Sequence, residues 1–215
     1  SSIFKVQKKL IEQFDYCLIP DFPLQENLAG ELSVLKENQK LDVPVRYVGA
    51  LSRFYNEEIQ VQSDKYTYDF VAVLSGPEPH KSSLTSLLIT EFAKSKKTLA
   101  ILTYGYSSEV TLPANVTLFL DCDDKQFLDV VSKSETFVSR SGYSTLMDLI
   151  YLKKKVFFIP TPGQTEQFYL AQYAASKGWA NYCIQEEFSI DKIEGKNKGF
   201  PFGKSPLNVV LGKIS

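Results

Sequence analysis

Short runs of β-branched and aromatic residues recur along the chain, and helical patterns separate them over much of its length. These runs lack polar alternation, so each one predicts a strand that is buried on both faces. Alternating strands and helices predict right-handed crossovers, and therefore an α/β fold with a doubly wound parallel sheet. The predicted strands are 16–19, 45–48, 69–74, 98–102, 116–120, 136–138 and 156–159, and the clearest helices are 82–94, 125–132, 144–152 and 166–177.

The opening of the chain has the pattern of an amphipathic helix over residues 3–14. We interpret its apolar face as packing against a core, and a basic helix lying on a membrane surface is the alternative. The apolar face consists of Ile3, Phe4, Leu10, Ile11 and Phe14, and Lys5, Lys8 and Lys9 lie elsewhere.

The composition, with 44% hydrophobic and 23% charged residues among 215, is that of a globular chain with one substantial core. A net charge of −1 provides no field for a polyanion such as DNA. Cys17, Cys122 and Cys183 form no CxxC pair, which argues against a disulfide framework or a zinc site and favours a cytoplasmic setting. No apolar run approaches the roughly 20 residues of a membrane span, so any membrane contact is expected to be peripheral.

Ligands of parallel sheets bind beyond the carboxyl ends of the strands, so the loop of residues 75–81 is the first place to look for chemistry. Backbone N–H groups at the start of the next helix make an anion site, and Gly76, beside Ser75, lets a phosphate approach the main chain. A tight strand–helix turn without a ligand is an equally good interpretation. The loop is one residue short of a Walker A motif, and the chain has no G-x-G-x-x-G, so ATPase and classical NAD-binding functions are rejected.

His80, the only histidine, lies in the same loop. A lone histidine is usually just solvated, and the functional alternative is a donor to a leaving diphosphate. No Ser-His-Asp set can be assembled around it. Asp121, Asp123 and Asp124 are better explained as a polar loop and a helix cap than as a metal site, so no metal is expected.

A second loop of this kind lies in the segment FVSRSGYSTLMD of residues 137–148. A predicted strand ends at Ser139, and Gly142 permits an unusual backbone at the turn. Ser144 or Thr145 can then cap a new helix, whose N-terminus is a second anion site.

Three polar side chains near these helix starts suit the hydroxyl groups of a sugar. Asp148 can accept hydrogen bonds from both hydroxyls of a ribose diol, and a favourable contact with the helix dipole is its alternative role. Glu166 and Gln167 present acceptors and donors for a hexose. A capping box with Thr161 or Thr165 is their alternative role.

The segment from residue 137 to 180 resembles the C-terminal domain of glycosyltransferases related to the bacterial MurG N-acetylglucosaminyltransferase. The shared pattern is Arg/Gly-Ser-Gly, an acidic residue six positions after that glycine, then proline, a short loop and an acidic/Gln-Gln sugar motif. A weaker likeness covers residues 45–184, through YVGALSRF, VLSGPEPH and VTLFLD. The resemblance implies a Rossmann-like domain that is the C-terminal half of a GT-B glycosyltransferase.

The resemblance also implies which residues bind the donor. The chain departs from the family pattern in the Ser-Gly-Pro of residues 75–77, where the family has a glycine-richer run, and in Phe168, which replaces a second glutamine. The implied site consists of Ser75, Gly76, Ser141, Gly142, Tyr143, Ser144 and Thr145 at the diphosphate, Leu120 at the base, Asp148 at the ribose, Glu166 and Gln167 at the transferred sugar, and Arg53 at a basic position of the inter-domain cleft.

For the whole protein, the resemblance implies transfer of a hexose or N-acetylhexosamine from a nucleotide sugar, with UDP as the expected nucleotide. Residues 1–20 are then the remnant of a preceding N-terminal domain, 21–44 a linker, and 45–215 the donor-binding domain. The acceptor, a glycan or lipid-linked sugar, would be bound by that missing domain or by a partner subunit, in the cytoplasm or at the inner face of the membrane. No cofactor or metal is implied, because helix dipoles and main-chain donors stabilise the leaving diphosphate in this family.

Two other functions remain open at this stage. A nucleotide-sugar 2-epimerase shares the architecture, but such enzymes need histidine and acidic residues in the cleft, and this chain has one histidine. A non-catalytic binding domain or subunit would keep the fold and lose the ligand. The joint presence of Gly142, Asp148 and the Glu166-Gln167 pair argues against it.

Overall fold

The structure is a computed structural model that describes residues 2–23, 27–36, 39–55, 57, 66–106, 111–193 and 195–201, with side chains described from residue 6 onward. In chain order its elements are α1 (Ser2–Ile11), β1 (Cys17–Ile19), β2 (Val45–Tyr47), β3 (Tyr68–Leu74), α2 (His80–Phe92), β4 (Leu99–Thr103), β5 (Val116–Leu120), α3 (Asp124–Ser132), β6 (Ser134–Ser139), α4 (Tyr143–Leu152), β7 (Lys155–Phe158), α5 (Thr165–Ser176) and β8 (Asn181–Tyr182), with 3-10 turns at Gly30–Ser33, Gln185–Glu187 and Ile190–Ile193.

The main sheet of the described chain has six parallel strands in the order β5-β4-β3-β6-β7-β8. Within this sheet the first strand in sequence is β3. The chain then runs outward through β4 to β5 and returns to form β6 on the other side of β3. The direction of winding therefore reverses between β3 and β6, which is where doubly wound sheets form their ligand crevice. The predicted parallel α/β sheet is confirmed.

Helices cover both faces of this sheet. Val71 points into a core that includes residues of α3, α4 and α5. Its neighbour Ala72 points into a second core on the opposite face, formed with α2 and with residues near the 3-10 turns 185–187 and 190–193. Burial on both faces explains why the central strands lack polar alternation.

The expectation of two buried faces is wrong for the first two strands and for β5. β1 and β2 pair with each other, parallel and in a sheet of their own, and none of their residues is fully buried in the described structure. β5 lies at an edge of the main sheet, where Thr117 and Leu120 are exposed. These strands are rich in the same residue types as the central ones, but each has a sheet neighbour on only one side.

The apolar face predicted for α1 is only partly covered among the described side chains, where Ile11 is half-buried, while the side chains of Ile3 and Phe4 lie outside the described ones. Leu10 is 57% exposed and Phe14, which lies beyond the helix end, is 68% exposed. Polar contacts attach the helix instead, because the Lys8 ammonium donates to the Lys40 carbonyl at 3.0 Å and lies 3.2 Å from an Asp42 carboxylate oxygen. Hydrogen bonds with the carboxylates of Glu12 and Asp42 raise the pKa of Lys8, and the bond with Glu12 is the larger cause.

The stretch after β1 packs closely on helices α4 and α5. The fully buried Asp21 carboxylate accepts hydrogen bonds from the backbone N–H groups of Phe22, Leu28 and Ala29. The Tyr143 hydroxyl donates to the Pro20 carbonyl at 2.5 Å. The division of the chain at residues 20 and 44 stays a prediction.

Among the described helices, none has both the length and the apolar character that crossing a membrane requires.

Candidate functional site

Three loops leave the carboxyl ends of neighbouring strands at the centre of the sheet. Val73 of β3 is in register with Ser139 of β6, which is in register with Phe158 of β7. The loops after these strands therefore start side by side on one edge of the sheet. They contain four of the residues predicted at the diphosphate, Ser75, Gly76, Ser141 and Gly142, and the helices α4 and α5 that follow contain the other predicted phosphate and sugar residues.

The first loop, residues 75–79, is exposed. Gly76 has φ of +108°, which residues with a side chain rarely adopt. The backbone conformation therefore requires a glycine at this position. Helix α2 begins at His80, two residues earlier than predicted, so His80 belongs to the helix and not to the loop. The Glu78 carboxylate accepts from the Ser82 N–H at 3.1 Å, and hydrogen bonds from the Ser82 side chain and backbone lower the pKa of Glu78. An anion bound at the start of α2 would have to share the helix N–H groups with the Glu78 carboxylate.

The second loop is the turn from β6 into α4. Gly142 is the N-cap of α4, with φ of −72° and ψ of 150°. The prediction of an unusual backbone at Gly142 is wrong, because any residue adopts these angles. The prediction that Ser144 or Thr145 caps the helix is also wrong, since α4 begins at Tyr143 and both residues lie in its first turn.

Glycine at the N-cap leaves this helix start open. In the described structure no side chain caps the first amides of α4, and a Cβ placed on Gly142 would find its nearest neighbour, Thr145 Oγ1, only at 4.0 Å. The N–H groups of Tyr143, Ser144 and Thr145 have no partner within the helix, as in any α-helix. They can therefore donate to an anion together with the positive end of the helix dipole.

The third loop enters α5 and lies against the second. The Ser141 hydroxyl donates to the Gln167 carbonyl at 2.7 Å. The Gln167 amide is turned back on its own loop, where it accepts from the Thr161 N–H at 3.0 Å and donates to Gln164 Oε1 at 2.6 Å. Gln164 is the N-cap and makes no side-chain cap bond in the described structure, so the capping-box alternative is not supported.

Glu166 is exposed in the first turn of α5. Together with Tyr143 it lines a cavity of about 350 Å³, whose other walls come from Ile19, Pro20, Ala29, Leu32, Ser33 and Leu170. One residue from the start of α4 and one from the predicted sugar-binding pair therefore face the same cavity.

Asp148 is the sixth residue of α4 and lies in its second turn, one turn later than expected. Its Oδ1 accepts from the Ser52 hydroxyl at 2.6 Å, and its Oδ2 lies 4.0 Å from Arg53 Nε. Burial raises the pKa of Asp148, and the Ser52 hydrogen bond and the Arg53 charge oppose that rise. A contact with the helix dipole is a weak explanation at this position, because the effect falls off beyond the first turn.

Arg53 connects this region to the start of α3. Its guanidinium is 2.6 Å from an Asp124 carboxylate oxygen and lies over the rings of Phe54 and Phe127 at 4.6 and 4.8 Å. Asp123 accepts from the Gln126 N–H at 2.7 Å and is the N-cap of α3, as the sequence predicts.

The other predicted residues lie farther along the same edge. Leu120 is the last residue of β5 and is 48% exposed, on a strand two places from β3. The part of the chain that the structure describes holds no group of three or more histidine, cysteine, aspartate or glutamate residues that could bind a metal ion.

Sequence reasoning did not select Arg140, which is 6% exposed and donates to the carbonyl of Ile159, directly after β7, and to that of His80, the first residue of α2. Burial lowers its pKa to about 10. The available signal was an arginine two residues after the apolar pair Phe137 and Val138 of a predicted buried strand.

Comparison with known proteins agrees with this architecture. The glycotransferase of kitacinnamycin gives a TM-score of 0.57 at 13% identity, over 89% of this chain and 51% of that protein. The spinosyn forosaminyltransferase SpnP gives a TM-score of 0.57 at 11% identity, over 100% of this chain and 61% of that protein. The calicheamicin glycosyltransferase CalG4 gives a TM-score of 0.57 at 10% identity, over 90% of this chain and 49% of that protein. The chain thus spans about half the length of the solved structures it matches, and it has the fold expected for the C-terminal half of a GT-B glycosyltransferase.

No curated protein sequence matches the chain. The sequence profile of the glycosyltransferase family 28 C-terminal domain matches residues 88–198, which is more than half of the chain and includes α4, α5 and the loops before them. The chain belongs to the glycosyltransferase family 28 C-terminal domain family.

Proposed function

We propose that this chain binds a nucleotide-sugar donor, with UDP as the nucleotide, and presents a hexose or N-acetylhexosamine for transfer. The acceptor, a glycan or lipid-linked sugar, is held by a further domain or by a partner subunit. The diphosphate lies between the Gly76 loop and the start of α4, the base lies near Leu120, and the sugar lies beside the first turn of α5.

The observation that carries this proposal is the 2.7 Å hydrogen bond between the Ser141 hydroxyl and the Gln167 carbonyl. It fixes the Gly142 turn against the first turn of α5, so amides suited to a phosphate lie next to polar side chains suited to a sugar. A nucleotide sugar has these two groups directly bonded, and it therefore needs both kinds of partner side by side.

Asp148 supports the ribose part of the proposal. The Ser52 hydroxyl and the Arg53 backbone N–H use two acceptor positions of the carboxylate, and a carboxylate offers about four. Oδ2 is 4.0 Å from Arg53 Nε, which is longer than a hydrogen bond, so it retains capacity for a ribose hydroxyl. The side chain is 25% exposed, which allows a ligand to reach it.

The chemistry assigned to this chain is stabilisation of the leaving group. Negative charge develops on the diphosphate as the bond to the sugar breaks. Main-chain N–H groups at the start of α4 are fixed before the reaction and can donate to that charge, which is an effective form of electrostatic catalysis.

Calorimetric titration with UDP, GDP and dTDP, and with their hexose conjugates, tests this function. We expect UDP to bind most tightly of the three nucleoside diphosphates. Asp148→Asn should weaken that affinity by about 10- to 100-fold, the range for hydrogen bonds to a charged group. Asp129→Asn is the matched control, since Asp129 is exposed on the neighbouring helix and pairs with Lys133. Absence of binding to all three would contradict the proposal, and equal affinities of wild type and Asp148→Asn would remove Asp148 from the site.

A further inference from the structure

Arg140 is a buried cation at the edge of the sheet where the three loops meet. Among the described residues its guanidinium donates four hydrogen bonds. The acceptors are the carbonyls of Ile159 at 3.0 Å, Pro160 at 3.1 Å and His80 at 3.0 Å, and Gln185 Oε1 at 2.7 Å. One side chain therefore joins segments that are separated by 19 to 60 positions in sequence.

Three of these acceptors lie in or directly beside the loops assigned to the donor, and the fourth, Gln185, lies in the 3-10 turn 185–187. His80 is the first residue of α2, directly after the Gly76 loop, and Pro160 begins the loop that leads into α5. Arg140 itself lies in the Gly142 turn. Gln185 extends the connection by donating to the Ser83 hydroxyl at 3.1 Å in the first turn of α2. The relative position of all three loops thus depends on one guanidinium.

The charge of Arg140 is not neutralised by direct contact with a carboxylate in the described structure, because its four acceptors are uncharged oxygens. Glu186, which is exposed, acts on it only through the longer-range field. Burial of a cation costs free energy, and an anionic ligand beside it lowers that cost. A diphosphate between the starts of α2 and α4 would be such a ligand.

We propose that Arg140 is a positioning residue for the donor diphosphate, since its guanidinium holds the three loops in register and its charge adds to the field of the two helix starts. This inference rests on the proposed function. It assigns to Arg140 an effect on the diphosphate, and none on the base or the ribose.

Lys154 provides a matched control within the same chain. It is also a buried cation, 3% exposed, and it donates to the carbonyls of Ser132 at 3.0 Å and Ser134 at 2.5 Å. Ser134 is the first residue of β6, so Lys154 lies at the amino ends of the strands, and the loops lie at the carboxyl ends. Its replacement removes a buried charge and its hydrogen bonds without touching the site.

The experiment compares Arg140→Met with Lys154→Met. Calorimetry measures the affinity for UDP, GDP or dTDP, whichever binds the wild type most tightly, and competition measures the affinity for the same nucleoside without phosphates. We expect Arg140→Met to lose about tenfold or more in diphosphate affinity and to keep nucleoside affinity within about threefold. Lys154→Met should keep both within about twofold, even with a lower melting temperature. Arg140→Lys retains the charge but not the fork of donors, and should fall in between.

Equal losses for diphosphate and nucleoside, or an equal loss in Lys154→Met, would overturn the inference. If Arg140→Met does not fold, Arg140→Lys and Gln185→Ala decide, since Gln185 is only half-buried and its removal deletes the shortest of the four bonds. Unchanged diphosphate affinity in both would overturn it. If the wild type binds none of the three nucleotides, the proposed function fails together with the role of Arg140. If the wild type binds and the variants behave like it, only the role of Arg140 fails.

Discussion

The hydroxyl of Ser52 donates a 2.6 Å hydrogen bond to the carboxylate of Asp148, across 96 positions of sequence. This bond fixes the segment after β2 against the second turn of α4. It also sets the properties of the carboxylate, since it opposes the rise in pKa that burial causes. The structural attachment of residues 51–54 and the chemistry proposed for Asp148 are therefore coupled.

Ser52→Ala tests this coupling. The hydroxyl also accepts from the Phe54 N–H at 3.0 Å, so its loss should lower the free energy of unfolding by about 1 kcal/mol. Removal of a contact that lowers the pKa of Asp148 should raise that pKa further. Ribose binding needs the ionised carboxylate, so we expect the acid side of the nucleotide-binding profile to move to higher pH. Calorimetric titrations between pH 5 and 8 measure the shift, and an identical profile in the variant would separate Ser52 from the site.

Asp148→Asn should separate stability from binding. The folded state raises the pKa of Asp148 above the ordinary value of about 3.9, so the folded chain binds the proton more tightly than the unfolded chain. The stability that this provides is present below that value and is lost as the pH rises through the folded pKa. At neutral pH the buried charge is a net cost, which asparagine removes. We expect the variant to melt at the same temperature as wild type or higher at pH 7.5, while nucleotide binding falls. A variant that is clearly less stable at that pH would show that the charge is favourable where it lies.

Lys154→Met should change how stability depends on pH. Burial lowers the pKa of Lys154 to about 8, below the ordinary value of about 10.4. Between these two values the unfolded chain binds more protons than the folded chain, so this group makes the folded chain more stable as the pH rises through that window. Chemical denaturation at pH 7.5 and pH 9.5 should show a smaller gain on raising the pH in the variant than in wild type. An equal gain in both would show that Lys154 keeps its ordinary pKa.

Gly30→Ala tests the packing of the stretch after β1 on α5. A Cβ at Gly30 would clash with the Tyr169 hydroxyl and meet the Tyr173 ring at 2.9 Å. Gly163→Ala is the control, since both glycines have positive φ but a Cβ at Gly163 finds no described atom within 4 Å. We expect Gly30→Ala to cost about 1 to 3 kcal/mol more than Gly163→Ala in urea denaturation. Equal costs would mean that the stretch does not pack on α5 as described.

Much of the fold follows from local pattern. The sequence predicts β6, α4 and β7 within two residues at each end, because the central strands carry apolar side chains on both faces and the helices follow directly. β8 was not predicted, since its two residues, Asn181 and Tyr182, are too few to show a pattern. The sequence predicts a buried apolar face for α1, but Leu10 is exposed, because an amphipathic pattern identifies an apolar face and not the surface that covers it.

The site was less predictable than the fold, since its geometry depends on contacts between distant residues. The resemblance to the MurG-related family selects the Gly142 turn and Asp148, and their roles stay predictions, but no local pattern indicates Ser52, the partner of Asp148 that lies 96 positions away. The partners of Arg140 lie up to 60 positions away, and no local pattern selects them. The N-cap residues Pro79, Gly142 and Gln164 also make no side-chain cap bond, so the usual sequence signal of a helix start is missing at these positions.

The central claim is that main-chain amides at the start of α4 bind the donor diphosphate. The most direct test is to titrate the 15N-labelled chain with the nucleoside diphosphate that binds and to follow the backbone amide resonances. We predict the largest shifts at Tyr143, Ser144 and Thr145, larger than those with the nucleoside alone, and small shifts at Ser134 and Lys155 on the opposite edge of the sheet. Large shifts at Ser134 and Lys155, with Tyr143 to Thr145 unmoved, would contradict the account.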